Sequence, residues 1–209
     1  MPIILKDSIY KNIKYDLNNI LKEFDIKGFV VSHISQIDLC QNYNFPIVAN
    51  YSFNIMNTQT INNLSNLGIE RFTISPELNK NNIKTLSSMC NSEFIVYGKL
   101  PVMTTNFCLS GKTNICKSAC KNNCLNNKFS IKDKLGFIFR VLPNKKSTIT
   151  TIYNSKITSI DFKDLNLNCA RIDFLDETFS EMNFVINKIH KKEKLEGSDY
   201  TNGNFKRTV

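Results

Sequence analysis

The chain has 209 residues, of which 42% are hydrophobic, and a net charge of +9. Apolar anchors occur in every region, which excludes a disordered chain except at the extreme C-terminus. No segment approaches the roughly 20 apolar residues of a membrane span. The length suits one domain with a single sizeable core, or part of a larger one. The charge would suit a polyanionic partner such as RNA. A Lys-rich composition is the plainer reading, because the basic residues are spread along the chain and the densest run, Lys188 to Lys194, reads as a solvated helix end. The N-terminus (MPIILKDSIYKNIKYDL) breaks its apolar run at Lys6 and Asp7, and no small-residue cleavage site follows. The expected location is therefore cytoplasmic, where thiols stay reduced.

In chain order, Tyr10, Ile13, Leu17, Ile20, Leu21 and Phe24 recur at helical spacing, which predicts a helix from Tyr10 to Lys27 stopped by Gly28. Phe29-Val30-Val31 reads as a buried strand, and Ile37 to Tyr43 as a short helix. Strand Ile47 to Tyr51, helix Thr58 to Leu67, strand Arg71 to Ser75, helix Asn79 to Met89 and strand Glu93 to Tyr97 follow. This alternation predicts right-handed βαβ units and a parallel sheet whose strands are apolar on both faces. Three or four units are about half of a (β/α)8 barrel. Half a barrel leaves open strand edges, so the chain closes differently, associates with a partner, or belongs to a longer protein.

Past residue 127 the pattern changes. Lys128 to Val141 alternates around Gly136 and predicts a hairpin with its turn near Lys134–Gly136. Ser147 to Ile160 is rich in Thr and Ile. Cys169 to Phe174 reads as a strand, Thr178 to Lys191 as a helix, and Tyr200 to Val209 as a polar tail with a turn at Asn202-Gly203. The expected fold class is α/β: a partial (β/α)8 TIM-like barrel with a Cys-rich loop and a small β-rich C-terminal extension. Residues 1–105 would form the half-barrel and 106–127 the cysteine segment. Residues 128–209 would add the hairpin, the last strand and helix, and the tail of the same domain.

The cysteine segment concentrates the chemistry. Cys108, Cys116, Cys120 and Cys124 fall within Phe107 to Cys124, while Cys40, Cys90 and Cys169 stand alone. An odd total in a reducing compartment argues against a disulfide framework. Cys116, Cys120 and Cys124 recur every four residues and would share one face of a helix, with Cys108 returning from the preceding loop. Four thiolates suit a cubane iron–sulfur cluster or tetrahedral zinc, and the spacing matches neither a C-x2-C zinc knuckle nor a common ferredoxin run. Unligated structural thiols, or a site completed by another chain, remain open alternatives. The three isolated cysteines read as small buried hydrophobes, any of which could substitute as a ligand if the fold brings it near.

Several stretches together resemble peptidase family U32, specifically the C-terminal portion of its barrel domain. They are NYSFNIMN (Asn50–Asn57), SPEL (Ser75–Leu78), VYGKLPVM (Val96–Met103), KDKLGFIFRV (Lys132–Val141), IYNSK (Ile152–Lys156), RIDF (Arg171–Phe174) and YTNGNFKR (Tyr200–Arg207). Members usually carry a further N-terminal half with the first barrel strands. Some are reported as collagenase-like proteases. Better-understood relatives look like iron–sulfur proteins that support oxygen-independent hydroxylation, on a ring in ubiquinone synthesis or on a uridine in RNA. The resemblance thus implies a 4Fe-4S cluster in the Cys108–Cys124 region, with zinc as the alternative. It also implies an RNA or small aromatic substrate, and an N-terminal half-barrel as a possible partner. A peptidase, or a non-catalytic partner within a split barrel, are the other functions it allows. Two departures stand out. Many relatives have Cys-Arg where this chain has Thr148-Ile149, and the Gly-His-Phe of the tail is Gly203-Asn204-Phe205 here.

The remaining candidates follow from placement. His33 lies after a strand on the catalytic side of a barrel, or is an ordinary loop histidine; His190 reads as a charge at a helix C-terminus. Arg171 and Asp173 alternate on one strand face, where they would orient a substrate or form an ion pair. Tyr51, Asn54, Tyr97, Lys99, Tyr153 and Asn154 sit at strand ends or in loops and would line a substrate pocket near the cysteines, though the two Asn residues also suit turns. Neither G-x-S-x-G nor H-E-x-x-H occurs, and the nearest Cys–His pair in sequence is Cys40 with His33.

Overall fold

A computed structural model describes residues 1–4, 6–109, 128–144 and 148–207, and these form a mixed α/β structure with a largely parallel sheet. The first helix, α1 (Asp7–Glu23), buries Ile13 and Leu17 one turn apart. It ends at Glu23, short of the predicted stop, because Phe24 is already extended (φ −128°, ψ 142°) and 62% exposed. Gly28 has a different task. A Cβ there would lie 2.8 Å from the Pro46 carbonyl oxygen, which accepts a 2.9 Å hydrogen bond from the Phe29 N–H. Glycine at this position lets the start of β1 approach the backbone just ahead of β2.

The predicted alternation then runs in order: β1 (Phe29–Val31), α2 (Ser35–Gln41), β2 (Ile47–Ala49), α3 (Thr58–Asn66), β3 (Arg71–Thr73), α4 (Lys80–Ser87) and β4 (Ser92–Gly98). α2 begins two residues ahead of the predicted Ile37. α3 and α4 are both opened by asparagine caps: the Asn57 and Asn79 side chains accept from the Thr60 and Asn82 N–H groups. The four strands pair in parallel in the order β1-β2-β3-β4.

β4 is the strand on which the sheet turns. β3 pairs with its first residues, and β10 (Cys169–Asp173) pairs parallel along Glu93 to Gly98 with a bulge at Val96. β9 (Ile157–Ser159) pairs antiparallel with Tyr97 and Gly98, and β11 (Tyr200–Thr201) pairs with β9. Between β10 and β11 lies α5 (Phe179–His190), opened by a capping box in which Thr178 and Glu181 satisfy each other's backbone N–H groups.

The register corrects the expectation that both faces are apolar. Phe29, Val31, Ile47, Ala49, Phe72 and Phe94 share one face and meet Ile13, Leu17, Ile61, Leu64, Ile83 and Leu86 of the helices in the core. The other face carries Val30, Val48, Arg71, Thr73, Glu93, Cys169 and Arg171. Val30 is 41% exposed on that side. Period-two alternation over three-residue strands is too short to be read reliably from sequence, which is why the polar face was missed.

A second sheet is wholly antiparallel, in the order β5-β8-β7-β6, built from β5 (Pro101–Thr105), β6 (Phe129–Lys132), β7 (Ile138–Pro143) and β8 (Thr150–Tyr153). The β6–β7 hairpin forms where the alternation predicted it. Asp133 accepts from the Leu135 and Phe137 N–H groups, and Gly136 takes φ +91°. Among the described residues no helix is long and apolar enough to cross a membrane.

Candidate active site

The C-terminal ends of β2, β4 and β10 converge on a cleft of roughly 510 Å³. Five of the residues expected at a site lie on it: Tyr51 after β2, Lys99 after β4, Tyr153 at the end of β8, and Arg171 and Asp173 on β10. Open parallel sheets bind ligands at this end, where strand termini leave loops free to differ in sequence.

Arg171 organises the cleft floor. Its Nε donates to Asp173 Oδ1 at 2.6 Å, and its Nη1 donates to Asn50 Oδ1 at 2.8 Å and Glu93 Oε1 at 3.4 Å. Burial opposes the guanidinium charge, but the hydrogen bond to Asp173 and the two carboxylates hold its pKa above the usual value. Glu93 is itself buried; it also accepts from Thr73 Oγ1 at 2.9 Å and faces Arg71 Nη1 at 3.7 Å. Asn50 passes the network on, donating from Nδ2 to Ser32 Oγ at 2.9 Å. A cation held between two carboxylates and a carboxamide is a fixed electrostatic feature, because each partner limits the rotation of the others.

The cleft walls are aromatic and neutral. Burial raises the Tyr51 pKa to about 12, with Tyr153 adding to the shift, and burial followed by the Asp173 charge raises that of Tyr153. Both phenols therefore stay protonated at neutral pH and can donate hydrogen bonds to a ligand oxygen. Lys99 supplies a cation at the rim.

The other candidates lie elsewhere. Tyr97 points into the core, its hydroxyl donating to Glu177 at 3.1 Å, and burial followed by the Glu177 charge raises its pKa. Asn54 closes a 3-10 turn (Tyr51–Phe53) in a left-handed conformation at φ +49°. Asn154 lies in the turn after β8, where its side chain faces the Lys156 N–H. His33 is exposed and bonded to Ser35 at 2.8 Å. His190 is exposed in the last turn of α5.

Of the four crowded thiols, Cys108 is exposed beyond the far end of β5, and Cys116, Cys120 and Cys124 lie outside the described residues. β5 starts at Pro101 in the cleft and spans about 13 Å over its five residues, so Cys108 itself does not line the cleft. The root of the cysteine segment is nonetheless pinned. Thr150 Oγ1 donates to the Phe107 carbonyl at 2.6 Å, and Lys6 Nζ bridges Asn106 Oδ1 at 2.7 Å and Thr148 Oγ1 at 2.8 Å. Cys40 is fully buried in the core, and burial raises its thiol to about 11. Cys90 and Cys169 are half-buried; burial raises the Cys169 thiol, with the Glu93 charge adding to it. In the tail, Phe205 is buried, and Asn204 Nδ2 donates to Glu77 Oε2 at 2.7 Å.

Asn50, Thr73 and Glu93 were missed by the sequence reading. A carboxylate inside an apolar strand, as in Ser92-Glu93-Phe94-Ile95, was the available signal for one of them.

Fold and cleft together define an α/β protein with a polar site at the C-terminal ends of parallel strands. The chain belongs to peptidase family U32, whose family model matches residues 3–167. The match covers the helices and strands through β9 and the whole antiparallel sheet, and it stops just short of β10, which supplies Arg171 and Asp173. No curated protein and no solved structure matches the chain.

Proposed function

We propose that this is an iron–sulfur redox protein of the U32 type that supports oxygen-independent hydroxylation of RNA or a small aromatic substrate. In this reading Cys108, Cys116, Cys120 and Cys124 hold a 4Fe-4S cluster. The donor set fits, since four thiolates are what a cubane requires. The observation that carries the reading is the Lys6 bridge. It brings Thr148, the position where many relatives have Cys, beside Asn106 at the root of the cysteine segment. A local run of thiols then replaces the ligand that Thr148 lacks. When bound, the cluster would supply one-electron chemistry.

The chain's own residues hold the substrate. Arg171 and Lys99 attract an anionic or carbonyl oxygen, Tyr51 and Tyr153 donate to it and flank a ring, and Asp173 with Asn50 fixes the guanidinium. A hydrolytic reading finds less support: Cys40 is fully buried with its thiol held protonated, and His33 is engaged by Ser35.

The polar sheet face favours a second element of the reading. Arg71 and Val30 are each 41% exposed on it. We assign this face to the interior of a (β/α)8-like barrel completed by an N-terminal half, on this or another chain. Anaerobically purified protein should be brown and carry about four irons per chain, and Cys108→Ser should lower that content. A colourless protein holding stoichiometric zinc would rule the cluster out.

A further inference from the structure

Leu135, at the turn of the β6–β7 hairpin, is 82% exposed, more than any other large apolar side chain among the described residues. It does not stand alone: Ile131, Phe137 and Ile138 are exposed beside it. None of these four joins the main core. The next most exposed side chains, Phe179, Tyr15 and Phe24, are isolated and have acids close by in sequence. Phe179 lies between Glu177 and Glu181, Tyr15 precedes Asp16, and Phe24 separates Glu23 from Asp25. Single exposed apolar residues are ordinary on a protein surface, whereas a contiguous group marks a contact.

The ladder distributes this group over both faces of the hairpin. Ile131 pairs with Phe139, which puts Phe137 on that same face two residues earlier, while Ile138 pairs with Lys132 on the other face. Leu135 closes the end between them. One flat surface cannot cover a wedge that is apolar on both faces; immersion covers both at once. The backbone of the tip is ready for that. Asp133 Oδ1 accepts from the Leu135 and Phe137 N–H groups at 2.9 and 2.8 Å. The Gly136 N–H donates to the Asp133 carbonyl at 3.2 Å, and the Asp133 N–H to the Phe137 carbonyl at 3.0 Å. Donors paired inside the turn lose little on leaving water.

Cations surround the wedge. Lys132 and Lys134 bracket Asp133, the only acid between Lys128 and Leu142. The Lys132 stem lies along the tip, its Cε 3.9 Å from the place a Cβ on Gly136 would take. Lys156 Nζ is 5.9 Å from the Phe137 ring centroid. What sets these lysines apart is the apolar wedge they ring; Lys191 and Lys192 also form no ion pair among the described residues. Lysine stems cover apolar atoms while their ammonium groups stay in a polar layer. Cations around an apolar tip thus match anionic headgroups lying over a hydrocarbon boundary.

We propose that the tip of the β6–β7 hairpin is an attachment point for an anionic bilayer surface. Leu135, Phe137 and Ile138 enter the boundary between headgroups and acyl chains, and Lys132, Lys134 and Lys156 meet the lipid phosphates. The required depth is shallow, about 5–10 Å, which two or three residues per strand supply at roughly 3.3 Å each. This goes beyond the functional reading above and uses none of the cleft or cysteine residues.

The chain contains no tryptophan, so one placed at the tip reports on the tip alone. On addition of phosphatidylcholine vesicles containing phosphatidylglycerol, Leu135→Trp should shift its emission to the blue, and Phe179→Trp, at the start of α5, should not. Co-sedimentation of the full chain with the same vesicles gives the affinity. Leu135→Ser/Phe137→Ser should weaken it about tenfold or more. Lys132→Gln/Lys134→Gln should also weaken it about tenfold or more, at roughly fivefold per lysine, and should leave binding to pure phosphatidylcholine unchanged. Lys191→Gln/Lys192→Gln, beyond the end of α5, should stay within about twofold. All these positions are exposed, so the variants should melt as the wild type does. Equal losses in both lysine pairs would overturn the proposal, because net charge alone would then explain the binding. So would a cooperatively melting wild-type chain that leaves both kinds of vesicle unbound. Self-association abolished by Leu135→Ser/Phe137→Ser, with no vesicle binding, would overturn it in favour of a second copy on the tip.

Discussion

Arg171 shows how much a single side chain decides here. It neutralises Glu93 and Asp173, so Arg171→Ala leaves a buried carboxylate with Thr73, the Cys169 thiol and a longer contact to Arg71. Loss of one partner of a fully buried pair costs roughly 3–5 kcal/mol; with 24% of the Arg171 side chain in water, about 2 kcal/mol is expected. The thermal midpoint should fall by about 4–8 °C, and Glu93→Gln in the same chain should restore part of it. Tyr51 makes a prediction of opposite character. Its folded-state pKa is raised from 10.0 to about 12, so the stability it contributes is present below pH 10 and lost as pH rises through 12. Chemical denaturation between pH 9 and 12 should show this decline shrinking in Tyr51→Phe, and an unchanged profile would contradict the burial argument. At this scale the sequence was informative where partners are close. Arg171 and Asp173 were legible because two residues apart on a strand means one face. Glu93 was not, because its partner Arg171 lies 78 residues away.

Among elements, the β4–β10 junction is the most exacting. Gly98 sits at φ +141°, and a Cβ there would lie 2.4 Å from the Asp173 carbonyl oxygen. Neither the conformation nor the space tolerates a side chain, so Gly98→Ala should cost about 1–3 kcal/mol in backbone strain alone. It should also displace Asp173 from the cleft, so ligand affinity and stability fall together, as calorimetric binding and thermal melts would report. The strands, helices and hairpin were readable from apolar periodicity, Pro46 and the Asp133–Gly136 turn. The pairing of β10 beside β4 was not, since it joins segments with no shared local pattern. Nor was the polar sheet face, which emerged only when register aligned Arg71 with Val48 and Val30, and Thr73 with Glu93 and Cys169.

For the molecule as a whole, the family match and the folded unit have different ends. The match stops at residue 167, yet β10, α5 and Phe205 all join the main core, with Val185 and Ile189 buried against it. A truncated chain of residues 1–167 should therefore expose apolar surface along β4, which is buried at all seven positions, and should bind a hydrophobic dye and aggregate where the longer chain does not. Equal solubility and equal melting of the two chains would refute this. Of the thiols in the cysteine segment, Cys108 alone falls in the described residues. The cleft became visible only through the fold, because its lining comes from five separate stretches of chain.

The place of β4 also bears on how the protein comes into being. During synthesis β4 leaves the ribosome long before its partner, because Glu93 pairs with Cys169, 76 residues later. Until β9 and β10 emerge, a strand buried at all seven positions in the final fold has β3 alone of its three strand partners, and the loop that must close on it is long. Folding should be slow for the chain's size and vulnerable to off-pathway strand pairing until the β10 segment emerges. Nascent chains whose emerged part ends between residues 100 and 168 are the ones expected to need a chaperone, and those emerged past residue 190 are not.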